Sequence, residues 1–319
     1  MNNKLISIVI PMYFEEEVAN ECYKRLKEVM HKNDINHELI FVNDGSKDKT
    51  IDILRGIALK DKCVKIIDFA RNFGHQIAVT AGVNSSIGDA VVIIDADLQD
   101  PPELIIPMIE KWKEGFDVVY AKRKKRNGET WFKLITAKAF YKFLSNMSDV
   151  KIPRDTGDFR LIDRKVADAF NNMNERNRFI RGMVSWIGYN QTYIEYERDE
   201  RFAGTTKYPL KKMIKFAKDG IIGFSSKPLK IVTRFGLFSI ILSFTILIYS
   251  LVNKLIGKNI ADGWTSIMTT ITFFSGIQLL FLGVIGEYIA RIYDETQNRP
   301  LYLIREKINF KEESKNESR

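Results

Sequence analysis

The 319-residue sequence contains few of the residues that form disulfides or zinc sites: two cysteines and three histidines. Cys22 and Cys63 form no CxxC pair and no disulfide framework, which is typical of a reducing cytosol. The histidines are scattered and give no zinc-binding pattern. The first apolar run, residues 5–10, is too short for a signal peptide and is followed at once by Pro11, so we expect a cytoplasmic N-terminus.

Acidic residues are fewer than basic ones: the chain contains 40 Asp and Glu and 49 Lys and Arg, which gives a formal net charge of +9. Such a surplus indicates anionic partners, which include nucleic acid, acidic lipid headgroups and phosphorylated substrates. The basic residues cluster beside apolar C-terminal stretches rather than among aromatic residues that stack on bases. We therefore expect no nucleic acid partner.

The first 125 residues alternate short β-branched runs with helical patterns. The runs that predict strands cover residues 6–10, 38–42, 64–69, 90–94 and 118–120. Because these runs are mostly apolar and separated by helices, they predict an α/β fold with a parallel sheet covered on both faces. Further along, a helix over 130–146 and strands over 159–162 and 191–197 predict an acceptor-side extension of this domain.

Ligands of such sheets bind beyond the carboxyl ends of the strands, so the segment after the fourth predicted strand is the first to consider. There, Asp95 and Asp97, at positions i and i+2, and Gln99 provide hard oxygen ligands for Mg²⁺ or Mn²⁺. A lone Asp-x-Asp is more often a turn or a helix cap. The strand before it and the helix-starting Pro101 and Pro102 favour a functional site.

Polar residues at other strand ends point to the same rim of the sheet, at 11–15, 43–46 and 71–74. Asp44 could accept a hydrogen bond from the imide of a uracil base, and Glu15 or Asp95 could hold ribose hydroxyls. The alternative for Asp44 is the opening of a turn, since Asp-Gly-Ser is turn chemistry. Arg71 follows the third strand, where a nucleotide would lie.

Taken in order, four motifs resemble those of family 2 glycosyltransferases. They are Ser-Ile-Val-Ile-Pro-Met-Tyr-Phe-Glu-Glu at 7–16, Asn-Asp-Gly-Ser at 43–46, Arg-Asn-Phe-Gly-His at 71–75 and Asp-Ala-Asp-Leu-Gln-Asp-Pro-Pro at 95–102. Within that family, the chain is similar to the polyprenyl-phosphate and dolichyl-phosphate glycosyltransferases over nearly its whole length. The resemblance implies a GT-A fold with Asp95, Asp97 and Gln99 around the metal and nucleotide. It also implies residues near the base and ribose: Pro11, Tyr13, Glu15 and Asp44.

The second half of the chain carries further motifs of this resemblance. Gly-Asp-Phe-Arg at 157–160 contains Asp158, which resembles the family's candidate catalytic carboxylate facing the attacking phosphate oxygen. Residues 201–208 resemble the motif Arg-x-x-Gly-x-Ser-Lys-Tyr, with threonine in the serine position. Arg201 and Lys207 there, and Arg123 after the fifth strand, suit phosphate binding by charge-assisted hydrogen bonds. A solvated basic loop before a membrane is the alternative for 201–208.

The chemical task of Asp158 is open at this point. A phosphate monoester has its second pKa near about 6, so a phosphate acceptor is already largely anionic and hardly requires a base. Asp158 could therefore position the acceptor, orient an arginine or take a residual proton.

Two stretches near the C-terminus, 235–253 and 263–286, contain no charged residue. Each is close to the about 20 residues that cross a bilayer core, which predicts two transmembrane helices; a buried helical hairpin is the alternative. Seven Lys and Arg lie between 211 and 234, whereas the connecting loop holds Lys254 and Lys258. By the positive-inside bias, both termini and the catalytic domain face the cytoplasm.

These patterns divide the chain into a GT-A catalytic domain (1–208), an amphipathic juxtamembrane helix (209–230), transmembrane helices (231–256 and 263–290) and a cytoplasmic tail (291–319). The lysine-rich 209–230 segment is typical of a helix on an anionic membrane surface, with a surface helix of a soluble domain as the alternative. We expect a multi-pass protein of the cell membrane. Glycines at 276, 283 and 286 are compatible with a homo-oligomer through close helix contacts, although any membrane span can contain them.

The resulting hypothesis is an inverting, metal-dependent transfer of one sugar, glucose or N-acetylglucosamine, from a nucleotide diphosphate-sugar to polyprenyl phosphate. UDP is the expected nucleotide, with GDP-mannose left open. The alternatives are a processive polysaccharide synthase and a membrane-tethered nucleotide-sugar sensor or scaffold. The synthase is disfavoured because the chain has no Gln-x-x-Arg-Trp motif and two spans are few for threading a polymer.

Overall fold

Strands from both ends of the chain meet in one mixed sheet. The computed structural model describes residues 4–124, 156–197, 227–256 and 263–310. They fall into two units, one with the described residues up to 197 and those from Arg299 onward, the other with the described residues between 227 and 298. The predicted helix over 130–146 and the 209–226 part of the juxtamembrane helix lie outside the described residues.

The first unit contains all the described strands and six helices. The strands are β1 (Ile6–Met12), β2 (His37–Asn43), β3 (Val64–Phe69), β4 (Ala90–Ile93), β5 (Val118–Arg123), β6 (Thr156–Asp163), β7 (Gln191–Tyr196) and β8 (Ile304–Ile308). The helices are α1 (Ala19–Lys32), α2 (Thr50–Lys60), α3 (His75–Ser85), α4 (Ile105–Lys113, after a 3₁₀ turn at Pro102–Leu104), α5 (Arg164–Asn171) and α6 (Ile180–Ile187).

The spatial order of the strands is β7-β5-β6-β4-β1-β2-β3-β8. Strands β1 to β4 are parallel to one another, as the apolar runs predict, and helices such as α3 pack on β1 and β2. The sheet as a whole is mixed, because β6 and β8 run antiparallel to their neighbours. Insertion of β6 between β4 and β5 brings a strand from the second half of the domain into its centre.

The apolar runs form strands because both of their faces are buried. Every residue of β1 is buried, and in α1 the residues facing the sheet include the fully buried Leu26 and Met30. Replacing such a leucine with alanine typically costs about 2–5 kcal/mol, because a cavity is left in a close-packed core. The core thus holds the strand ends that carry the polar rim in place.

Pro11 lies inside β1 without interrupting the sheet. The carbonyl of Val9 accepts from the N–H of Ile94, so the polar groups of Val9, and of Pro11 two residues later, face the β4 side. Pairing with β4 ends at Val9 opposite Ile93, so no strand stands beside Pro11 on that side. The missing N–H of proline therefore costs no ladder hydrogen bond.

The second unit consists of α7 (Lys227–Leu255) and α8 (Trp264–Thr296), which cover the two stretches predicted to cross the membrane. By length and composition, one segment within the described residues, Phe273–Thr296, is long and apolar enough to be a membrane span; its mean hydropathy is 1.6. Residues 291–319 were expected to form a tail. In the structure α8 continues to Thr296, and β8 adds an edge strand to the sheet of the first unit.

Candidate active site

The loop after β4 presents its polar side chains on one side. Asp95, Asp97 and Gln99 are partly exposed, and the residues between them are buried. Leu98 adopts a φ of 56°, a left-handed conformation that an L-residue with a bulky side chain rarely takes. Backbone strain of this kind concentrates at functional sites because the surrounding structure must maintain it. The loop is therefore held in a specific shape that directs alternate side chains to the rim.

Asp158 reaches the same rim from β6. The antiparallel register pairs Ile93 of β4 with Arg160 of β6. Asp95 lies two residues after Ile93, and Asp158 lies two residues before Arg160. Because the strands are antiparallel, Asp95 and Asp158 therefore come opposite each other. Asp158 is 7% exposed, so its carboxylate needs partners within the protein.

Those partners of Asp158 are largely cationic. Its Oδ1 lies 2.7 Å from Nε of Arg181, and its Oδ2 lies 3.1 Å from Nε2 of His75. Gln76 donates to the same Oδ2 at 3.3 Å, and Nη2 of Arg160 is 3.9 Å from Oδ1. Burial alone would raise the pKa of Asp158, but the charges of Arg181 and His75 hold it well below its usual value. Asp158 is thus a shared counter-ion and a weak base.

His75 connects this carboxylate to the acidic loop. Its Nε2 lies 3.6 Å from Oδ1 of Asp95, in addition to its contact with Asp158. Burial opposes protonation, yet the two carboxylates raise the pKa of His75 to about 9. The pKa of Asp95 is raised to about 6, first by burial and then, against the effect of His75, by the charges of Asp158, Asp100 and Asp97. Asp95 thus shares the rim with three other carboxylates and with the His75 imidazole.

The donor set at this loop is suited to a hard divalent cation. In the described ranges no group of three or more His, Cys, Asp or Glu side chains is arranged to hold a metal by itself. Mg²⁺, however, is commonly held by one or two carboxylates together with substrate phosphates. Asp95 and Asp97 supply two partly exposed carboxylates, and the carboxamide of Gln99 lies on the same side of the loop. The residues present fit such an ion.

The loop after β1 lies beside the same acidic segment. Glu15 and Asp97 both act on the buried thiol of Cys22, whose pKa is raised first by burial and then by these two charges. Tyr13 is 38% exposed, and its ring packs edge-on against that of Phe14, with centroids 4.5 Å apart. Phe14 has a φ of 54°, so this loop is also strained. Because β1 pairs with β4, the loops after these two strands leave the sheet side by side, and the Tyr13 ring is accessible.

Asp44 organises the loop that follows β3. It is 2% exposed, and its carboxylate accepts the backbone N–H groups of Phe73 at 2.7 Å and Gly74 at 2.9 Å. The side chain of Asn72 donates to it at 2.8 Å. Burial raises the pKa of Asp44, and the two backbone hydrogen bonds work against that rise. Asp44 therefore has a structural role, because its carboxylate holds the 71–74 loop through hydrogen bonds to that loop.

Gly45 allows the turn after β2 to contact that loop. Its φ is +65°, and a Cβ at this position would lie 2.4 Å from the backbone carbon of Arg71 and 2.6 Å from the backbone nitrogen of Asn72. The positive φ and the close backbone contact both disfavour any residue with a Cβ at position 45, unless the neighbouring backbone moves. Arg71 itself is exposed, and its guanidinium lies 4.3 Å from the centroid of the Phe73 ring.

Arg123 ends β5 near the buried end of the acidic loop. Its Nη2 lies 3.7 Å from Oδ1 of Asp100, which is fully buried and also accepts from the hydroxyl of Tyr196. Burial would lower the pKa of Arg123, but Asp100 and Tyr196 raise it. Gly157 lies against Arg123, since a Cβ there would be 3.0 Å from Nη2. Arg123 is thus anchored at the site through Asp100.

Sequence reasoning missed the cationic partners of Asp158. His75 lies in the motif at 71–75 but had no predicted role, and Arg181 lies in none of the motifs. A signal existed for Arg181, since it is the one charged residue of the apolar α6 sequence Ile-Arg-Gly-Met-Val-Ser-Trp-Ile. The predicted phosphate-binding residues Arg201 and Lys207 lie outside the described residues.

The chain is similar to two sequence families and to several named relatives. The model of glycosyl transferase family 2 matches residues 7–170, and that of the GtrB C-terminal hairpin matches residues 227–292. The uncharacterized glycosyltransferase YkcC of Bacillus subtilis is 59% identical over 93% of this chain and 92% of its own. The SfII prophage-derived bactoprenol glucosyl transferase of Shigella flexneri is 42% identical over 94% of this chain and 97% of its own.

Among solved structures, the glucosyl-3-phosphoglycerate synthase of Mycobacterium tuberculosis, in complex with Mn²⁺, uridine diphosphate and phosphoglyceric acid, aligns at 19% identity. The alignment has a TM-score of 0.45 and covers 69% of this chain and 77% of the synthase.

Proposed function

Because the chain belongs to glycosyl transferase family 2 and is a glycosyltransferase, we propose that it transfers glucose from UDP-glucose to a polyprenyl phosphate. The observation that carries this proposal is the 42% identity to a bactoprenol glucosyl transferase over nearly the whole of both chains. A short shared motif would support only nucleotide-sugar binding, whereas this alignment extends through the hairpin region as well. The predicted GT-A-like α/β domain agrees with the observed mixed sheet.

For the donor, we assign the rim formed by the loops after β1 to β4. Pro11, Tyr13, Glu15 and Asp44 would surround the base and ribose, and Arg71, which is exposed beside the clamped loop, would meet the diphosphate. Asp95, Asp97 and the carboxamide of Gln99 would hold Mg²⁺ or Mn²⁺. When bound, this ion offsets the charge that develops on the departing nucleoside diphosphate.

For the acceptor, we assign the cationic groups around Asp158. The acceptor phosphate is already anionic near neutral pH, and the pKa of Asp158 lies well below its usual value, so a base is neither required nor well supplied by Asp158. We assign Asp158 the role of holding Arg181 and His75 in place, so that they orient the phosphate oxygen toward the anomeric carbon. Arg123, Arg201 and Lys207 would add phosphate contacts.

The transfer would be inverting. In this scheme the phosphate oxygen attacks the anomeric carbon from the face opposite the leaving nucleoside diphosphate, forming one C–O bond as the other breaks. No carboxylate in the described site needs to form a covalent sugar adduct. Retention of anomeric configuration in the product would contradict this scheme.

For the membrane, we propose that α7 and α8 both span the bilayer and that both termini are cytoplasmic. The basic residues before α7 support this orientation. The isoprenoid tail of the acceptor lies in the same bilayer, so the arrangement keeps the acceptor phosphate near the catalytic unit.

The direct test is incubation of the full-length protein in membranes with radiolabelled UDP-glucose, Mn²⁺ and undecaprenyl phosphate. We expect a lipid carrying one sugar, identified by extraction and mass spectrometry. A polymer would instead support a processive synthase, and donor binding without transfer would support a sensor. Parallel reactions with UDP-N-acetylglucosamine and GDP-mannose test the sugar and the base.

A further inference from the structure

The C-terminal strand β8 reaches the base of the loop that we assign to the donor. β8 pairs antiparallel with β3, with Asp68 opposite Glu306. Immediately after β3, the N–H of Ala70 donates to the carbonyl of Leu303 at 2.9 Å. Ala70 directly precedes the loop at 71–74. The segment that follows the two C-terminal helices in the chain thus contacts the residue from which this loop departs.

Arg305 ties β8 to two points ahead of the loop. Its Nη1 lies 3.0 Å from Oδ2 of Asp68, and its Nη2 donates to the carbonyl of Ala70 at 3.0 Å. Asp68 is fully buried, and its Oδ1 accepts from the side chain of Asn43 at 2.7 Å. Over the described part of the chain, Arg305 is the only cation paired with this carboxylate. Without it, a buried charge would be left with a neutral partner, which is costly.

The polar network continues into the donor loop. Asn43 ends β2 and directly precedes Asp44, the residue that clamps the N–H groups of Phe73 and Gly74. A displacement of Asp68 therefore acts on the loop at both ends, through Ala70 and through the β2 end. Each step of this route is a hydrogen bond or a peptide link, and contiguous networks of this kind can carry energetic coupling between sites.

Aromatic side chains form a second connection between the same segments. The rings of Tyr302 and Phe69 stack with centroids 5.2 Å apart and planes 19° apart. Phe69 in turn meets Phe73 edge-on at 5.6 Å. The guanidinium of Arg71 lies over Phe73. The exposed arginine assigned to the diphosphate thus rests on a ring supported from the C-terminal segment.

From these contacts we propose that Arg305 is a positioning residue for donor binding, which sets the shape of the 71–74 loop before the nucleoside diphosphate arrives. The inference rests on the proposed function, in which this loop belongs to the donor site. Preorganised loops bind more tightly because less ordering is required on binding. Loss of Arg305 should therefore weaken donor binding and leave the acceptor side unaffected.

A second ion pair on the same strand supplies a matched control. Arg55 of α2 pairs with Glu306 at 2.6 Å, and both side chains are 41% exposed. This pair fastens β8 to α2 and makes no described hydrogen bond or ion pair with the 71–74 loop or with Ala70. The charge of Arg55 also acts on Asp68, but removing this pair leaves the hydrogen bonds among Arg305, Asp68, Asn43 and Ala70 in place, so it tests attachment of the strand alone.

The experiment compares Arg305→Met, Arg305→Lys, Tyr302→Leu and Arg55→Met in the full-length protein. We expect Arg305→Met to raise the KM for UDP-glucose about tenfold, with kcat and the KM for undecaprenyl phosphate within about threefold of wild type. Arg305→Lys should restore part of the donor affinity, since it keeps the charge beside Asp68. Tyr302→Leu should raise the donor KM by a smaller factor, and Arg55→Met should leave it unchanged.

Binding of UDP in the presence of Mn²⁺, measured by calorimetry, separates this inference from the proposed activity. If the wild type binds UDP without transferring glucose, the proposed transfer fails, and the Kd for UDP of the same variants still decides the role of Arg305. If Arg305→Met is not recovered folded, Tyr302→Leu and Arg305→Lys provide the test. An unchanged donor KM and UDP Kd in these variants, or an equal change in Arg55→Met, would overturn the inference, as would absence of UDP binding by the wild type.

Discussion

Replacing Asp158 with asparagine removes the charge that three cationic groups share while keeping the size of the side chain. The carboxylate is 7% exposed and lies 2.7 Å from Arg181 and 3.1 Å from His75. Breaking a buried ion pair by removing one partner costs about 3–5 kcal/mol. The side chains of Arg181 and His75 are 28% and 29% exposed, and Arg160 keeps its hydrogen bonds to two carbonyls. We therefore expect a stability loss below that range, about 2–3 kcal/mol.

The effect of Asp158→Asn on turnover should be larger than its effect on the donor. Loss of the fixed orientation of Arg181 and His75 removes preorganised charge from the acceptor side, for which a loss of about 100-fold in kcat is typical. His75 also reaches Asp95, but the 71–74 loop is held by Asp44 rather than by Asp158, so the KM for UDP-glucose should change less than kcat and stay within about threefold. Asp163→Asn is the control, because Asp163 lies on the same strand, accepts from the indole of Trp112 at 2.7 Å, and caps α5 away from the rim.

A double-mutant cycle decides whether Asp158 acts through Arg181. If the two residues work as a unit, Asp158→Asn combined with Arg181→Met should lower kcat about as much as either single change. The assay is radiolabelled glucose transfer in membranes, with thermal unfolding measured on the same preparations. Multiplied losses in the double variant, or a wild-type kcat in Asp158→Asn, would refute this account of Asp158.

Two further predictions concern Asp97 in the loop after β4 and Gly45 in the turn after β2. Asp97→Asn should raise the Mn²⁺ concentration needed for half-maximal activity by at least about tenfold, because the proposed metal site would lose a carboxylate, whereas Asp52→Asn, at an exposed position of α2, should not. Mn²⁺ binding, measured by electron paramagnetic resonance, should be weakened in Asp97→Asn and unchanged in Asp52→Asn. Equal Mn²⁺ affinities in the two variants would show that Asp97 does not bind the metal. Gly45→Ala should destabilise the protein by at least about 1–3 kcal/mol, since φ is +65° and its Cβ meets the Arg71 backbone. Gly56→Ala in α2 meets no atom within 4 Å and should be neutral or stabilising in the same thermal unfolding assay; similar melting temperatures for the two variants would contradict this.

Much of the β1–β4 half of the sheet could be predicted from the sequence, because its signals are local. Strands buried on both faces appear as apolar runs, and the polar residues at their ends follow within a few positions. The loops carrying Tyr13, Asp44 and Asp95 were found in this way.

Strand β8 could not be predicted by the same reasoning. Its sequence, Ile-Arg-Glu-Lys-Ile, is charged because it forms the exposed edge of the sheet, and charges are common on such edges. A charged segment after an apolar helix resembles a solvated tail, so only its pairing with β3 distinguishes the two.

The sequence by itself determined the α/β core and the order of the motifs, since both arise from residues that are neighbours in the chain. The tertiary structure decided how those motifs meet. Insertion of β6 beside β4 sets Asp158 opposite Asp95, and packing of α3 and α6 then supplies His75 and Arg181 as its partners. His75 and Asp158 are 83 positions apart in the chain. Because such a contact depends on which strands become neighbours, no local pattern of residues could have specified it.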